Sequence, residues 1–191
     1  ERECVAEGVR QAEAKGFKNL MDVVKNGETL KAGDRVYRAW MNKDIMLFII
    51  GEKPIECGMN ILGAHIDSPR IDIKQNPLYE DEHLAYLDTH YYGGIKKYQW
   101  VALPLALHGV VVKKDGTTVT LNIGDKPGDP VFYISDLLIH LAADQMGKTA
   151  AKVIEGDSLN IIIGSEPKKD TDKDPVKTAI LDILKEQYSI D

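Results

Sequence analysis

Apolar residues in the first 25 positions recur at helical spacing, with Cys4, Val5, Val9, Ala12, Ala14 and Phe17 standing among charges. The pattern predicts a helix over 1–25, with Gly16 placed to end or interrupt it. The turn-rich connector NGETLKAGD (26–34) follows. RVYRAWM and IMLFIIG then flank NKD and predict a β-hairpin. Within MNILGAH (59–65) the run Ile61-Leu62-Gly63-Ala64 is unbroken by polar residues. It suits a strand buried on both faces of an α/β layer.

After Asn76-Pro77 the pattern turns strand-rich. EHLAYLDTHYYGG, VALPLALHGVVVKK and TTVTLNIG predict strands, with Lys114-Asp115-Gly116 as a turn between the last two. GDKPGDP (124–130) is a loop by composition. SDLLIHLAADQM predicts a short helix capped by Ser135 or Asp136. Its apolar stripe would be Ile134, Leu137, Leu138 and Leu141, with His140 turned away from it. SLNIIIGSEP predicts one more strand. KKDTDKD (168–174) and Glu80-Asp81-Glu82 read as solvated loops. DPVKTAILDILKEQYSID predicts a last helix, with Pro175 in its first turn. The order is that of an interrupted α/β domain: helix and strands, a strand-rich insert, then a helix. No partner strand follows that helix, so the chain is expected to lack the rest of its own core. There is no internal repeat.

Composition narrows the partners. Over 191 residues, 43% hydrophobic and 28% charged content suffices for a core in one large domain or two small ones. A net charge of −6 without a Lys/Arg stripe gives no footprint for nucleic acid. Cys4 and Cys57 are the only cysteines. They are too few for a disulfide framework and point to a reducing compartment. The longest apolar run, IMLFII (45–50), is too short to span a membrane. The first residues hold no signal-peptide core. A cytoplasmic location is the expectation, although the chain begins at Glu1, which leaves a removed leader open.

The chemistry concentrates at His65 and Asp67. In an extended backbone, residues i and i+2 share a face, and open α/β sheets bind ligands at their strand ends. Neutral imidazole is the commonest metal ligand. A metal-bound histidine usually gives its other N–H to a carboxylate or carbonyl. Taken alone, the triplet equally fits a surface hydrogen-bonded pair. A single ligand also cannot hold zinc, since catalytic zinc sites use about three protein ligands.

GAHIDSPRIDIK resembles the zinc-ligand segment of the aspartyl aminopeptidase family of dinuclear metalloaminopeptidases. That segment reads Gly-x-His-x-Asp-Ser-Pro-x-(apolar)-x-x-Lys, and the match falls on Gly63, His65, Asp67, Ser68, Pro69 and Lys74. Two more stretches look similar in the same order: YYGGIKKYQW followed by LALHGVVV, and FYISDLLIHLAADQ. The resemblance implies an α/β/α catalytic domain interrupted by a β-rich, barrel-like dimerisation domain. Residues 1–74 would begin the catalytic domain, 75–172 would form the dimerisation domain, and 173–191 would continue the catalytic domain, truncated. It implies two metal ions, usually zinc, that remove the N-terminal residue of a peptide. It also implies a homodimer within a larger homo-oligomer; the charge and the short apolar runs add the expectation of no nucleic acid or membrane partner.

Residue by residue, His65 matches the first metal ligand and Asp67 the aspartate that steadies it. The bridging carboxylate, the general-base glutamate and the other ligands lie further along the family chain and have no counterpart here. This fragment alone is therefore expected to be inactive. His140 matches a histidine that reaches from the dimerisation domain into the neighbouring subunit's active site; its other reading is a satisfied helix residue. His83, His90 and His108 are read as partly buried, hydrogen-bonded histidines, and Trp100, Tyr91, Tyr92 and Tyr98 as interface or core. Where relatives carry an Arg/Asp-containing stretch just after Trp100, this chain has VALPLALHG, so the family's preference for acidic N-terminal residues is not carried over. Two rival readings stand beside this one: a non-catalytic self-association module in which the His-x-Asp is a surface pair, and a different metal-dependent hydrolase that shares only the triplet.

Overall fold

The N-terminal helix stops early for a local reason. In a computed structural model that describes residues 1–190, α1 covers Arg2–Ala14. Gly16 then takes φ +79°, a left-handed conformation that costs glycine no steric penalty. The chain enters β1 (Lys18–Asn19) and α2 (Leu20–Lys25). The Asn19 side chain caps α2 by accepting the Met21 N–H at 3.0 Å. The helix expected over 1–25 is thus two helices divided at the glycine.

The hairpin forms as its pattern predicts. β2 (Arg35–Trp40) and β3 (Asp44–Ile49) pair antiparallel, Val36 opposite Phe48 and Tyr37 opposite Leu47. β1 joins β2 in parallel, giving the order β1-β2-β3. Val5, Ala12, Val23, Val36 and Tyr37 are the buried residues here. The Tyr37 hydroxyl donates to the Glu13 carboxylate at 2.7 Å. That hydrogen bond, with burial and the glutamate's charge, pushes the phenol above its ordinary range.

The strand expected at 59–65 is absent. Residues 58–69 form no helix or strand, and Ile61 and Leu62 are 78% and 100% exposed. A strand buried on both faces needs a ladder partner on each side as well as cover. None of the strands in the described residues pairs with this run. Its hydrophobicity therefore has nothing here to pack against.

Two compact units divide the chain, Glu1–Ser68 and a second beginning at Pro69. In the second, β4 (Arg70–Asp81), β5 (Leu84–Tyr92) and β8 (Ile161–Gly164) form an antiparallel sheet in the order β4-β5-β8. β4 runs through Asn76-Pro77, where the composition change was read. It tolerates the proline because the ladder is irregular between Ile73 and Leu78, with Asn76 at φ +52°. Glu82 and His83, both at positive φ, close the β4–β5 hairpin. β6 (Leu107–Val112) and β7 (Thr118–Ile123) form a separate two-stranded ribbon. At its turn the Asp115 carboxylate accepts the Thr117 hydroxyl and N–H, at 2.7 and 2.9 Å. Those bonds hold its pKa below the usual carboxylate range. The sheets do not close on one another, so the expected barrel-like form is not present in the described residues. Closure needs a continuous ladder, and between the β6–β7 ribbon and β8 the described residues form only isolated bridges, Leu105 with Phe132 and Tyr133 with Ile162.

The core of this unit is Ile134, Ile154, Leu159 and Ile161, with Trp100, Val101, Leu105 and Phe132 packed on it. Its one buried polar side chain among the described residues, Thr89, donates to the Leu159 carbonyl at 2.6 Å. The helix expected from Ser135 does not begin there. A 3₁₀ turn covers Ile139–Leu141 and a short helix, α3, covers Ala143–Met146. The Asp136 carboxylate spends its bonds on the adjacent Leu137 N–H and on Gln145 rather than as a helix cap. Of the predicted stripe Ile134 is buried in the core, but Leu137, Leu138 and Leu141 stay 54%, 71% and 70% exposed, so those three have no surface to bury against. The last helix, α4 (Pro175–Tyr188), begins on its proline as predicted. Its Val176 and Lys177 N–H groups both donate to Glu80 Oε2 at 2.9 Å. Glu80 is therefore a long-range helix cap, not a solvated loop charge.

Candidate functional site

His65 and Asp67 meet without a strand to align them. His65 Nδ1 lies 3.0 Å from the Asp67 carbonyl oxygen and 3.3 Å from Asp67 Oδ1. A carbonyl can only accept, so Nδ1 is the protonated nitrogen, and in the neutral ring Nε2 keeps its lone pair. The two side chains are 85% and 46% exposed. This tautomer, with its N–H held by an aspartate, is the one in which a histidine offers Nε2 to a metal. The pair fits one corner of a zinc site. It does not fit a whole one, because no group of three or more His, Cys, Asp or Glu among the described residues could hold a metal ion.

Just downstream, the matched motif enters the second unit. Arg70 Nε donates to Asp72 Oδ1 at 2.7 Å, and the guanidinium lies 4.1 Å from the centre of the Tyr92 ring. Lys74, the last matched position, donates to Asp88 at 3.0 Å across the β4–β5 ladder. Asp88 lies 14 residues from Lys74, Tyr92 lies further still from Arg70, and only the strand register reveals these two pairings.

His140 belongs to the second unit and sits exposed in the 3₁₀ turn. Its neighbours Leu138, Ile139 and Leu141 are each at least 66% exposed. Beside the turn, Asp136, Leu137, Leu141, Gln145, Lys148 and Glu155 line an open cleft of about 560 Å³. Lys148 donates to Glu155 at 3.0 Å and draws that carboxyl below its ordinary range. The other histidines have local partners or none in the chemistry. His83 is an exposed turn residue, His90 Nδ1 lies 3.1 Å from the Tyr91 carbonyl, and His108 Nε2 lies 3.0 Å from Asp125 Oδ2. Trp100 packs on the core, while Tyr91, Tyr92 and Tyr98 remain between 41% and 43% exposed.

Comparison with known proteins places these features in a family. Residues 1–191 match the family described as "Aminopeptidase I zinc metalloprotease (M18)". The chain is 59% identical over its whole length to a probable M18 family aminopeptidase 1 from Clostridium acetobutylicum. It covers 41% of that relative, so it spans about two fifths of the length of the curated relatives it matches. The crystal structure of an M18 family aminopeptidase from Thermotoga maritima superposes with a TM-score of 0.90 at 43% identity, over 99% of this chain and 40% of that one. The aminopeptidase I structure from Clostridium acetobutylicum gives 0.86 at 58% identity, over 98% and 41%. With the match running from the first residue to the last, this chain belongs to the M18 aminopeptidase I family of zinc metalloproteases.

Proposed function

We propose that this chain supplies the first metal-ligand segment of an aminopeptidase that removes the N-terminal residue of peptides at a two-metal site. The observation that carries the reading is the His65–Asp67 pair, held in the tautomer a metal ligand needs. His65 binds the metal through Nε2, and Asp67 fixes the ring and raises its basicity. A bound zinc ion supplies the usual hydrolytic chemistry, lowering the pKa of water and polarising the scissile carbonyl. The remaining ligands and the general base come from outside these 191 residues.

The domain assignment that goes with this function has 1–74 and 173–191 in the catalytic part and 75–172 in the part that makes a homodimer. His140, on an exposed turn among exposed aliphatic residues, then serves the neighbouring subunit by donating to the oxyanion that develops at the scissile carbonyl. The test is His65→Ala in the complete protein, with metal content and peptide hydrolysis measured on the same sample. Most of the activity and part of the bound metal should be lost. Full activity with unchanged metal would end the ligand assignment.

A further inference from the structure

Asn26-Gly27 is the one Asn-Gly dipeptide in the sequence. In such a pair the asparagine side chain is open to attack by the next backbone nitrogen, because glycine has no Cβ to crowd that atom. The reaction needs only water. Gly27 N bonds to Asn26 Cγ and gives its proton to solvent; the Cγ–Nδ2 bond breaks, and Nδ2 takes up a proton and leaves as ammonia. Water then opens the resulting succinimide at either carbonyl, which gives aspartate or isoaspartate at position 26. Both residues are exposed, so water and base reach them freely.

The conformation opposes the attack. Asn26 closes the C-terminal end of α2 at φ −81° and ψ −4°. At that ψ the Gly27 nitrogen eclipses the Asn26 nitrogen and stands roughly a third of a turn from the Cβ it must approach. Turning it there breaks the bonds that end the helix. The Gly27 N–H donates to the Val24 carbonyl at 3.1 Å, and the Glu28 N–H to the Val23 carbonyl at 3.0 Å. The side chain is held as well. Asn26 Nδ2 donates to Glu28 Oε1 at 3.1 Å, while Lys18 Nζ donates to Glu28 Oε2 at 3.2 Å. The asparagine bond first, and the lysine second, draw the Glu28 carboxyl below its ordinary range. We infer that Asn26 is a spontaneous deamidation site that the folded chain holds back, with the end of α2 as the backbone restraint and Glu28 as the side-chain restraint. Conversion removes the second restraint, since a carboxylate at position 26 gives Glu28 no donor and repels it.

The complete protein and its Glu28→Ala variant are incubated at mildly alkaline pH, folded and in guanidinium chloride. The folded samples are kept well below the thermal midpoint of each protein. Peptide mapping by mass spectrometry follows the amide-to-acid mass gain in the fragment that contains Asn26. Folded wild type should convert at least about 10-fold more slowly than denatured wild type, because two backbone hydrogen bonds must open first. With each protein referred to its own denatured rate, folded Glu28→Ala should convert about threefold to tenfold faster than folded wild type, the worth of one net hydrogen bond. Glu28 is exposed, so its replacement opens no core cavity. No conversion at Asn26 in the denatured chain would overturn the site. Equal rates in folded and denatured wild type would overturn the protection, and a wild-type ratio in Glu28→Ala would overturn the part given to Glu28.

Discussion

At His65 the atom open to a metal is Nε2, which in the neutral ring carries no proton once Nδ1 donates to the Asp67 carbonyl. The aspartate side chain reaches the ring separately, with Oδ1 3.3 Å from Nδ1, and on the metal-ligand reading its influence acts through that contact. Asp67→Asn in the complete protein should therefore weaken metal affinity by roughly 10- to 100-fold while leaving the fold intact. Competition with a chelator measures this, and unaltered affinity would reduce Asp67 to a surface partner. Leu159 belongs to the same scale with a different outcome. It is fully buried at the centre of the second unit's core. Truncation to alanine removes its contacts and leaves a cavity, which typically costs about 2–5 kcal/mol. Denaturant unfolding should show that loss with no change in metal affinity per folded molecule. His65 and Asp67 were legible from spacing because their partnership is local, two residues apart. Arg70 with Tyr92 and Glu80 with α4 were not, since nothing local in the sequence pairs them.

Among the elements, α1 and α4 show two ways of holding a helix. α1 carries its support on its own surface. Glu7 accepts from Arg10 Nε and Nη2 at 2.7 and 2.6 Å and from Gln11 at 2.8 Å. Those bonds, the arginine's first, lower the Glu7 pKa from 4.5 to about 2. A depressed folded-state pKa means that the contribution is present above 4.5 and fades as pH falls toward 2. The pair is fully solvated, so its share is small. The stability difference between wild type and Glu7→Gln should narrow as pH drops below about 4.5, and a constant difference across that range would show that the charge contributes nothing. α4 depends instead on Glu80 of β4, which takes two of its first N–H groups. Glu80→Ala should cost about 1 kcal/mol, the usual loss for a missing cap. Glu80→Gln, which retains an acceptor oxygen, should cost less. Equal stability in all three proteins would mean that water replaces the cap freely.

At the scale of the whole molecule, the prediction is shared active sites. The consecutive exposed residues Leu137, Leu138, Ile139 and Leu141 around His140 are costly to leave in water. A homodimer would cover them. Light scattering on the complete protein should find no monomer at high micromolar concentration. Mixing inactive His65→Ala subunits with inactive His140→Ala subunits, under conditions that allow exchange, should restore activity. In a hybrid, one site combines an intact metal ligand with an intact His140. Hybrids that form, keep their metal and stay inactive would refute the reach across the interface.

The sequence alone determined the features whose causes lie within a few residues. The β2–β3 hairpin follows from alternation around a turn, the break at Gly16 from one residue's φ, and the start of α4 from its proline. The M18 motif was legible for the same reason, being a contiguous string of residue types. Tertiary structure decided the rest. The apolar run at 59–65 has the composition of a central strand, yet a strand exists only with neighbours to bond, and it has none among the described residues. The residues from Ser135 onward have a helical stripe, but amphipathic periodicity makes a helix only where a surface receives the apolar side. Proline 77 sits inside β4 because the ladder opens around it. In each case local pattern set what a segment could become, and the presence or absence of a partner to bury and hydrogen-bond it set what it is.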